Sequence, residues 1–175
     1  LQGKDYVFVL TDLAAYVIQF VGPPFTFSVR QVGTNCGCIG QHAAVFINGA
    51  VYWMGAEGGF FIFDGTVKSL PSLVEDFVFT TDGDNLGLNF NARDIVSAGA
   101  NNLYTEVNWF YPKSGSEQID RCVTYNYQEG IWTTSSLDRT TYSDQGVFDA
   151  PYATDYEATS TPVFPDILGI TNAAG

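Results

Sequence analysis

Apolar residues come along this chain in short runs broken by Gly, Pro, Asn and Asp, which is the punctuation of strands and turns. The first third carries three such runs. Tyr6–Leu10 (YVFVL) is continuously apolar, and Ala14–Val21 (AAYVIQFV) follows the turn signal Thr11-Asp12. Phe25–Val32 (FTFSVRQV) follows Gly22-Pro23-Pro24, whose prolines end any helix and mark a strand start. Within it Phe25, Phe27 and Val29 alternate with Thr26, Ser28 and Arg30, the period of two of a half-buried strand. The glycine-rich stretch Gly33–Gly40 lacks the Gly-Lys-Ser/Thr of a phosphate-binding loop and reads as a connection needing unusual backbone angles.

The middle of the chain is the clearest. Ala43–Ile47, Ala50–Met54, Phe60–Phe63 and Thr66–Leu70 are four short strands separated by Asn48-Gly49, Gly58-Gly59 and Asp64-Gly65. Asn-Gly between apolar runs is a strong hairpin signal, because both residues tolerate positive φ. The stretch predicts a four-stranded antiparallel meander. Ser72 with Glu75 three residues later forms a capping-box pattern and predicts a one- to two-turn helix to Phe79, with Leu73, Phe77 and Val74 on one face. Thr80–Asp94 is rich in turn residues.

A further group follows: Asp94–Gly99, Leu103–Pro112, Arg121–Tyr127 and Ile131–Ser136. Val107, Trp109 and Tyr111 share one face and Glu106, Asn108 and Phe110 the other; Val123, Tyr125 and Tyr127 alternate with Cys122, Thr124 and Asn126. Sheet-sized units are thus expected near 5–33, 42–71 and 94–136, with 137–175 beginning another unit or wrapping the earlier ones. A lone meander cannot bury both apolar faces. Sheets stacked face to face around an axis can, so the expected class is all-β, with antiparallel four-stranded meanders forming part of a β-propeller; a β-sandwich would use the same strands. The expected aromatic core is Tyr52, Trp53, Phe61, Phe63, Trp109, Tyr125 and Trp132, and the expected turns are Asn48, Gly49, Asp64 and Gly65.

Composition supports a packed β domain: 46% of residues are hydrophobic, 15% are charged and 15% are aromatic. Net charge is −12 with only seven Lys and Arg, so no basic patch is available for phosphates or an anionic membrane surface. Cys36, Cys38 and Cys122 are odd in number, which argues against a disulfide framework and for small buried hydrophobes in a reducing compartment. Cys36 and Cys38 with His42 lack a fourth ligand and zinc-finger spacing, and Asp82, Asp84 and Asn85 lack the ligand spacing and terminal Glu of a calcium loop. No metal or cofactor is expected.

Catalytic patterns are equally thin. His42 is the sole histidine, at the mouth of an apolar strand, and no Gly-x-Ser-x-Gly elbow occurs. The carboxylate pairs Glu75-Asp76 and Asp155/Glu157 need no role beyond solubility. Trp53, Trp109 and Trp132 could stack on sugars, which keeps a carbohydrate- or receptor-binding module open beside a scaffold. No signal peptide or membrane span is evident. The start at Leu1 without an initiator Met, and the closing GITNAAG, lead us to expect a segment of a longer protein.

The order of these motifs adds a resemblance. An apolar strand ending in Thr-Asp (Val9–Asp12), a strand leading to Pro-Phe, a Gly and Cys loop, the Asn-Gly hairpin with Tyr52-Trp53-Met54-Gly55, a Gly-rich strand, Asp64-Gly65 and a short acidic helix follow one another, and VTYNYQEGIWTT (Val123–Thr134) extends the series. Across residues 6–136 this resembles phage tail hub or nozzle proteins, more narrowly the packaged-DNA stabilisation proteins of short-tailed phages. The resemblance implies a bacteriophage structural protein of the virion tail, made in the host bacterial cytoplasm. It implies a β-propeller body in a multi-subunit ring below the portal that continues the DNA conduit, plugs it and carries other tail parts. The implied partners are other tail or portal proteins and further copies of the chain, with no specific nucleic-acid binding and no membrane. The family brings no catalytic residues. A closed propeller usually needs more blades than 175 residues supply, which again points to a segment.

Overall fold

The computed structural model describes residue 1, residues 6–137, 139, 141–144 and 151–154, and the backbone of 166–167. It is an all-β chain of antiparallel sheets that follow one another in sequence order. The first sheet holds β1 (Tyr6–Leu10), β2 (Ala14–Phe20) and β3 (Phe27–Thr34) in that order. The second holds β4 (Ala44–Ile47), β5 (Ala50–Met54), β6 (Phe60–Phe63) and β7 (Val67–Ser69). Then come a short helix, α1 (Glu75–Phe79), and a kinked 3-10 segment, Phe90–Ile95. The third sheet holds β8 (Ser97–Asn101), β9 (Glu106–Tyr111), β10 (Arg121–Asn126) and β11 (Ile131–Ser135), in the reverse order β11-β10-β9-β8 when read from its far edge. A small fourth sheet joins β12 (Thr141–Ser143), β13 (Tyr152–Thr154) and β14 (Asp166–Ile167).

Local chemistry accounts for the turns. Asn48 and Gly49 have φ of 50° and 81°, the pair of positive values that a two-residue hairpin needs to match strand twist. They set the register Ile47↔Ala50 and Phe46↔Val51. Gly65 sits at φ 115° in the β6–β7 turn, where Asp64 also accepts an ion-pair hydrogen bond from Lys68 at 2.6 Å. The Gly33–Gly40 connection does need unusual backbone: Asn35 has φ 52°, and a Cβ on Gly37 would collide with the backbone carbonyl of Asp12. That close approach lets Cys36 and Cys38 N–H groups reach the carbonyls of Leu13 and Thr11, at 3.3 and 2.8 Å.

Several expectations are corrected. The first sheet keeps the three strands read from its three apolar runs, but not the half-burial expected of the third. The alternation of Phe25, Phe27 and Val29 does not bury them: they are 75%, 63% and 66% exposed. Alternation specifies which residues share a face, and here no described element covers that face. The capping box does not form. Ser72 Oγ accepts from Val74 N–H at 3.2 Å, closing a turn ahead of the helix, and the N-cap residue Val74 has no side-chain cap. Leu73 is fully exposed, while Val78 is buried and Val74 and Phe79 pack beside it. The strand expected from Asp94 starts at Ser97, because Asp94 and Ile95 belong to the 3-10 segment.

The core lies between sheets. One apolar cluster joins the inner face of the first sheet (Phe8, Ala15, Val17) to Val51, Trp53 and Phe63 of the second. A larger one joins the opposite face of the second sheet (Tyr52, Met54, Phe60) to Val107, Trp109, Tyr111 and Val123 of the third. A third cluster, Phe110, Ile119 and Cys122, takes up the far face of the third sheet with Leu137 and Tyr142. The sheets therefore stack in series. All five residues of β5 are buried because both of its faces are covered, which is why its sequence is a continuous apolar run rather than an alternation.

Candidate functional site

The most elaborated region is the aromatic assembly on the two faces of the second sheet. Strand geometry sends successive side chains to opposite faces. Trp53, Phe61 and Phe63 face the first sheet: Phe63 stacks on Phe8 with centroids 4.5 Å apart, and Trp53 stacks on Phe61 at 5.5 Å. Tyr52 and Phe60 face the third sheet. Phe60 meets Trp109 at 4.9 Å and Trp132 at 4.5 Å, and Tyr52 meets Tyr125 at 6.3 Å. The seven aromatics singled out from the sequence thus divide between two interfaces. Trp53, Trp109, Tyr52 and Phe63 are buried, and Phe61, Tyr125 and Trp132 are half-buried against them.

Sequence reasoning missed Phe60, Phe8 and the Phe110–Tyr142 pair (5.5 Å). Phe60 was legible only through register. It pairs with Met54, so it lies on the face opposite Phe61 and Phe63. Nothing local marks Phe8 as a partner of Trp53, from which it is separated by the whole glycine-rich connection.

Each tryptophan also uses its one polar atom. Trp53 Nε1 donates to the Cys36 carbonyl at 2.8 Å, Trp109 Nε1 to the Ala43 carbonyl at 3.2 Å, and Trp132 Nε1 to the Pro71 carbonyl at 3.0 Å. Cys36 lies just ahead of the second sheet, Ala43 at its start and Pro71 just past its end. Two indoles of the third sheet therefore pin both ends of the second sheet, and the second sheet pins the connection from the first. A buried indole N–H needs a partner, and here that need ties one sheet to the next. His42 contributes through its backbone: its carbonyl accepts from Ala98 N–H at 2.8 Å, joining the second and third sheets, while its side chain is exposed.

Polar chemistry gathers on the far face of the third sheet. Thr124 Oγ1 donates to Asn108 Oδ1 at 2.6 Å, and Asn101 Nδ2 donates to Glu106 at 3.3 Å. Asn101, Glu106 and Asn108 line a cavity of about 260 Å³ together with Tyr142 and Tyr152. Asn101 Oδ1 and Tyr142 Oη find no partner among the described residues, and the cavity has room for the waters that would satisfy them. Burial pushes the Cys122 thiol up to about 11 and raises the Glu106 carboxyl. Cys122 thus stays a protonated thiol at neutral pH. Burial raises the Cys36 and Cys38 thiols as well.

Other sequence candidates are scattered. Glu75 and Asp76 are exposed in the first turn of α1. Asn85 Nδ2 donates to the carbonyls of Phe77 and Thr80, so it closes a loop. Asp155 and Glu157 lie outside the described residues. Among the described residues, no group of three or more His, Cys, Asp or Glu is placed to hold a metal ion. Among the same residues no helix is long and apolar enough to cross a membrane. No protein-family model matches the chain, and no curated protein matches it.

Proposed function

We propose that the chain is a structural, non-enzymatic segment of a phage tail hub or nozzle, whose stacked sheets are successive blades of a β-propeller. It forms part of the DNA conduit in the virion tail and holds neighbouring tail or portal proteins. The observation that carries this reading is the serial stack itself. The first three sheets follow one another in chain order, are clamped by rings and indole N–H bonds, and hold Trp53, Phe60 and Trp109 inside their interfaces. That is the economy of a propeller body, and the motif order from Val9 to Thr134 supplies the family. The net charge of −12 supports a conduit wall that repels phosphates and limits sticking.

The carbohydrate- or receptor-binding alternative loses its platform, since Trp53 and Trp109 are fully buried and Trp132 is turned onto Phe60. Two measurements test the proposal. Immobilised chain should let duplex DNA pass without retention at about 50 mM salt, where phosphate contacts are strongest. It should also co-sediment with phage heads that carry a portal but lack a tail. Salt-dependent retention of DNA would overturn the conduit wall, and failure to bind any portal-bearing particle would overturn the hub assignment.

A further inference from the structure

Three turns place an Asn or Asp side chain directly before a glycine at positive φ: Asn48-Gly49, Asp64-Gly65 and Asp82-Gly83. In such a pair the glycine amide nitrogen can reach the side-chain Cγ of the residue before it and close a five-membered ring, because the glycine has no Cβ in the way. The three turns differ in what holds the side chain. Asp64 accepts from Lys68 at 2.6 Å and from Thr66 at 3.4 Å. Asp82 belongs to a turn closed by two backbone bonds with Asn85, at 3.0 and 2.9 Å. Both are also carboxylic acids, whose ionised form resists attack by an amide nitrogen. Asn48 offers a neutral carboxamide, and asparagine is among the thermolabile residues. Asn48 and Gly49 are exposed, and neither the Asn48 side chain nor the Gly49 N–H has a hydrogen-bond partner among the described residues. Nothing lies within 4 Å of the place where a Gly49 Cβ would stand. The hairpin is closed one step further in, at the Ile47↔Ala50 pair, so neither reacting group is needed to hold the ladder. No other asparagine of the chain is followed by glycine.

We propose that Asn48-Gly49 is a site of spontaneous covalent modification, at which the asparagine loses its side-chain nitrogen through a cyclic imide. Solvent hydroxide takes the Gly49 N–H proton, and the nitrogen forms a bond to Asn48 Cγ. The Cγ–Nδ2 bond breaks, and Nδ2 leaves as ammonia after taking a proton from water. Water then opens the ring at either carbonyl. Breaking the bond from Cγ to the Gly49 nitrogen gives aspartate, and breaking the bond from the backbone carbonyl carbon gives isoaspartate. One water is consumed, one ammonia is released and nothing is oxidised or reduced. The two products differ in what they do to the fold. Aspartate tolerates the φ of 50° at this position and adds one negative charge to a chain that already carries −12. Isoaspartate routes the backbone through Cβ and Cγ, which lengthens a two-residue turn by one atom. The strand that follows has no freedom to absorb a shift. Val51 and Trp53 face the first sheet and Tyr52 and Met54 the third, and a slip of one residue exchanges those faces. The reaction therefore places a slow chemical change at the entry to the strand on which both sheet interfaces depend. It rests on the turn alone and not on the tail-hub proposal.

Peptide mapping by mass spectrometry of the folded full chain, held in mildly alkaline buffer and sampled over days to weeks, is the test. The peptide containing Asn48 should gain the mass of an amide-to-acid exchange and split into two species, one of which accepts a methyl group from an isoaspartyl methyltransferase. Every other asparagine should convert later. Raising the pH should speed conversion, because more of the Gly49 amide loses its proton. Asn48→Gln, which would need a six-membered ring, should abolish the change at this turn with an unchanged circular dichroism spectrum. Asn48→Asp should fold and separate by charge together with the acidic product of the parent chain. A parallel sample in concentrated urea reports the same pair without the fold. Conversion of Asn48 in urea but not in the folded chain would overturn the inference, because the hairpin would then be a shield. Earlier conversion at any other asparagine of the folded chain would overturn it as well, and so would an Asn48 that stays intact in both samples. None of these results touches the DNA and portal tests of the tail-hub reading.

Discussion

The second sheet and the first are made of the same kind of strand and end in different surroundings. Every residue of β5 is buried, with Trp53 turned to one neighbour and Tyr52 and Met54 to the other. Among the described residues, the first sheet has a neighbour on one side only. Phe8 is 1% exposed on the covered face, while Phe27, two strands away on the other face, is 63% exposed. Both sheets are rich in apolar strand residues, continuous in β5 and alternating in β3. What differs is whether a described second layer lies across the face, and that decides which apolar residues are buried against a neighbour and which stay exposed.

The sharpest way to break this contrast is to truncate one ring on each side of it. Trp109→Ala removes a fully buried indole from the second–third interface and should cost about 3–5 kcal/mol, read as a lowered urea midpoint. Phe27→Ala, measured in solutions dilute enough to be monomeric, should cost less than about 1 kcal/mol. Similar losses at the two sites would erase the distinction. The clamp between the first and second sheets is probed by Trp53→Phe, which leaves the Cys36 carbonyl without its buried donor and should cost about 1–3 kcal/mol.

A smaller effect separates turn chemistry from coverage. Gly22 and Gly49 lie at φ 80° and 81°, each with open space where a Cβ would go. An alanine at either should cost about 1 kcal/mol from backbone strain alone. Equal losses would show that the two sheets differ in their neighbours and not in their local turns.

High pH should loosen the covered side. Burial holds Tyr111 at about 12 and Cys122 at about 11, against ordinary values of 10.0 and 9.0. Both groups are therefore protonated in the fold where the unfolded chain has already lost its protons. The stability they contribute is complete below about pH 9 and is lost as pH rises through 11 to 12. A tyrosinate absorbance titration should show a late fraction that ionises together with unfolding.

Much of the second sheet was legible because its signals are local. Asn48-Gly49 specifies a hairpin by backbone sterics, and Ala50–Met54 is apolar at every position, as a strand covered on both faces must be. The faces of β9 were equally plain, since Val107, Trp109 and Tyr111 alternate with Asn108 and Phe110 and enter different clusters. Coverage was not legible. Phe25, Phe27 and Val29 have the pattern of a core strand, and only the positions of distant elements show that nothing described lies over them. The helix start misled for a similar reason: Ser72-x-x-Glu75 satisfies the capping pattern, yet Ser72 spends its oxygen on Val74 two residues on. The polar cavity on the third sheet was also out of reach, because it joins Asn101 and Asn108 to Tyr142 and Tyr152 from a later part of the chain.

Hydroxyl-radical footprinting read by mass spectrometry at two protein concentrations tests the central contrast most directly. Trp53 and Trp109 should resist oxidation at both, Trp132 should react moderately, and Phe20, Phe25 and Phe27 should be modified readily in dilute solution. Oxidation of Trp53 and Trp109 in the folded chain as fast as that of Phe27 would contradict the stacked arrangement.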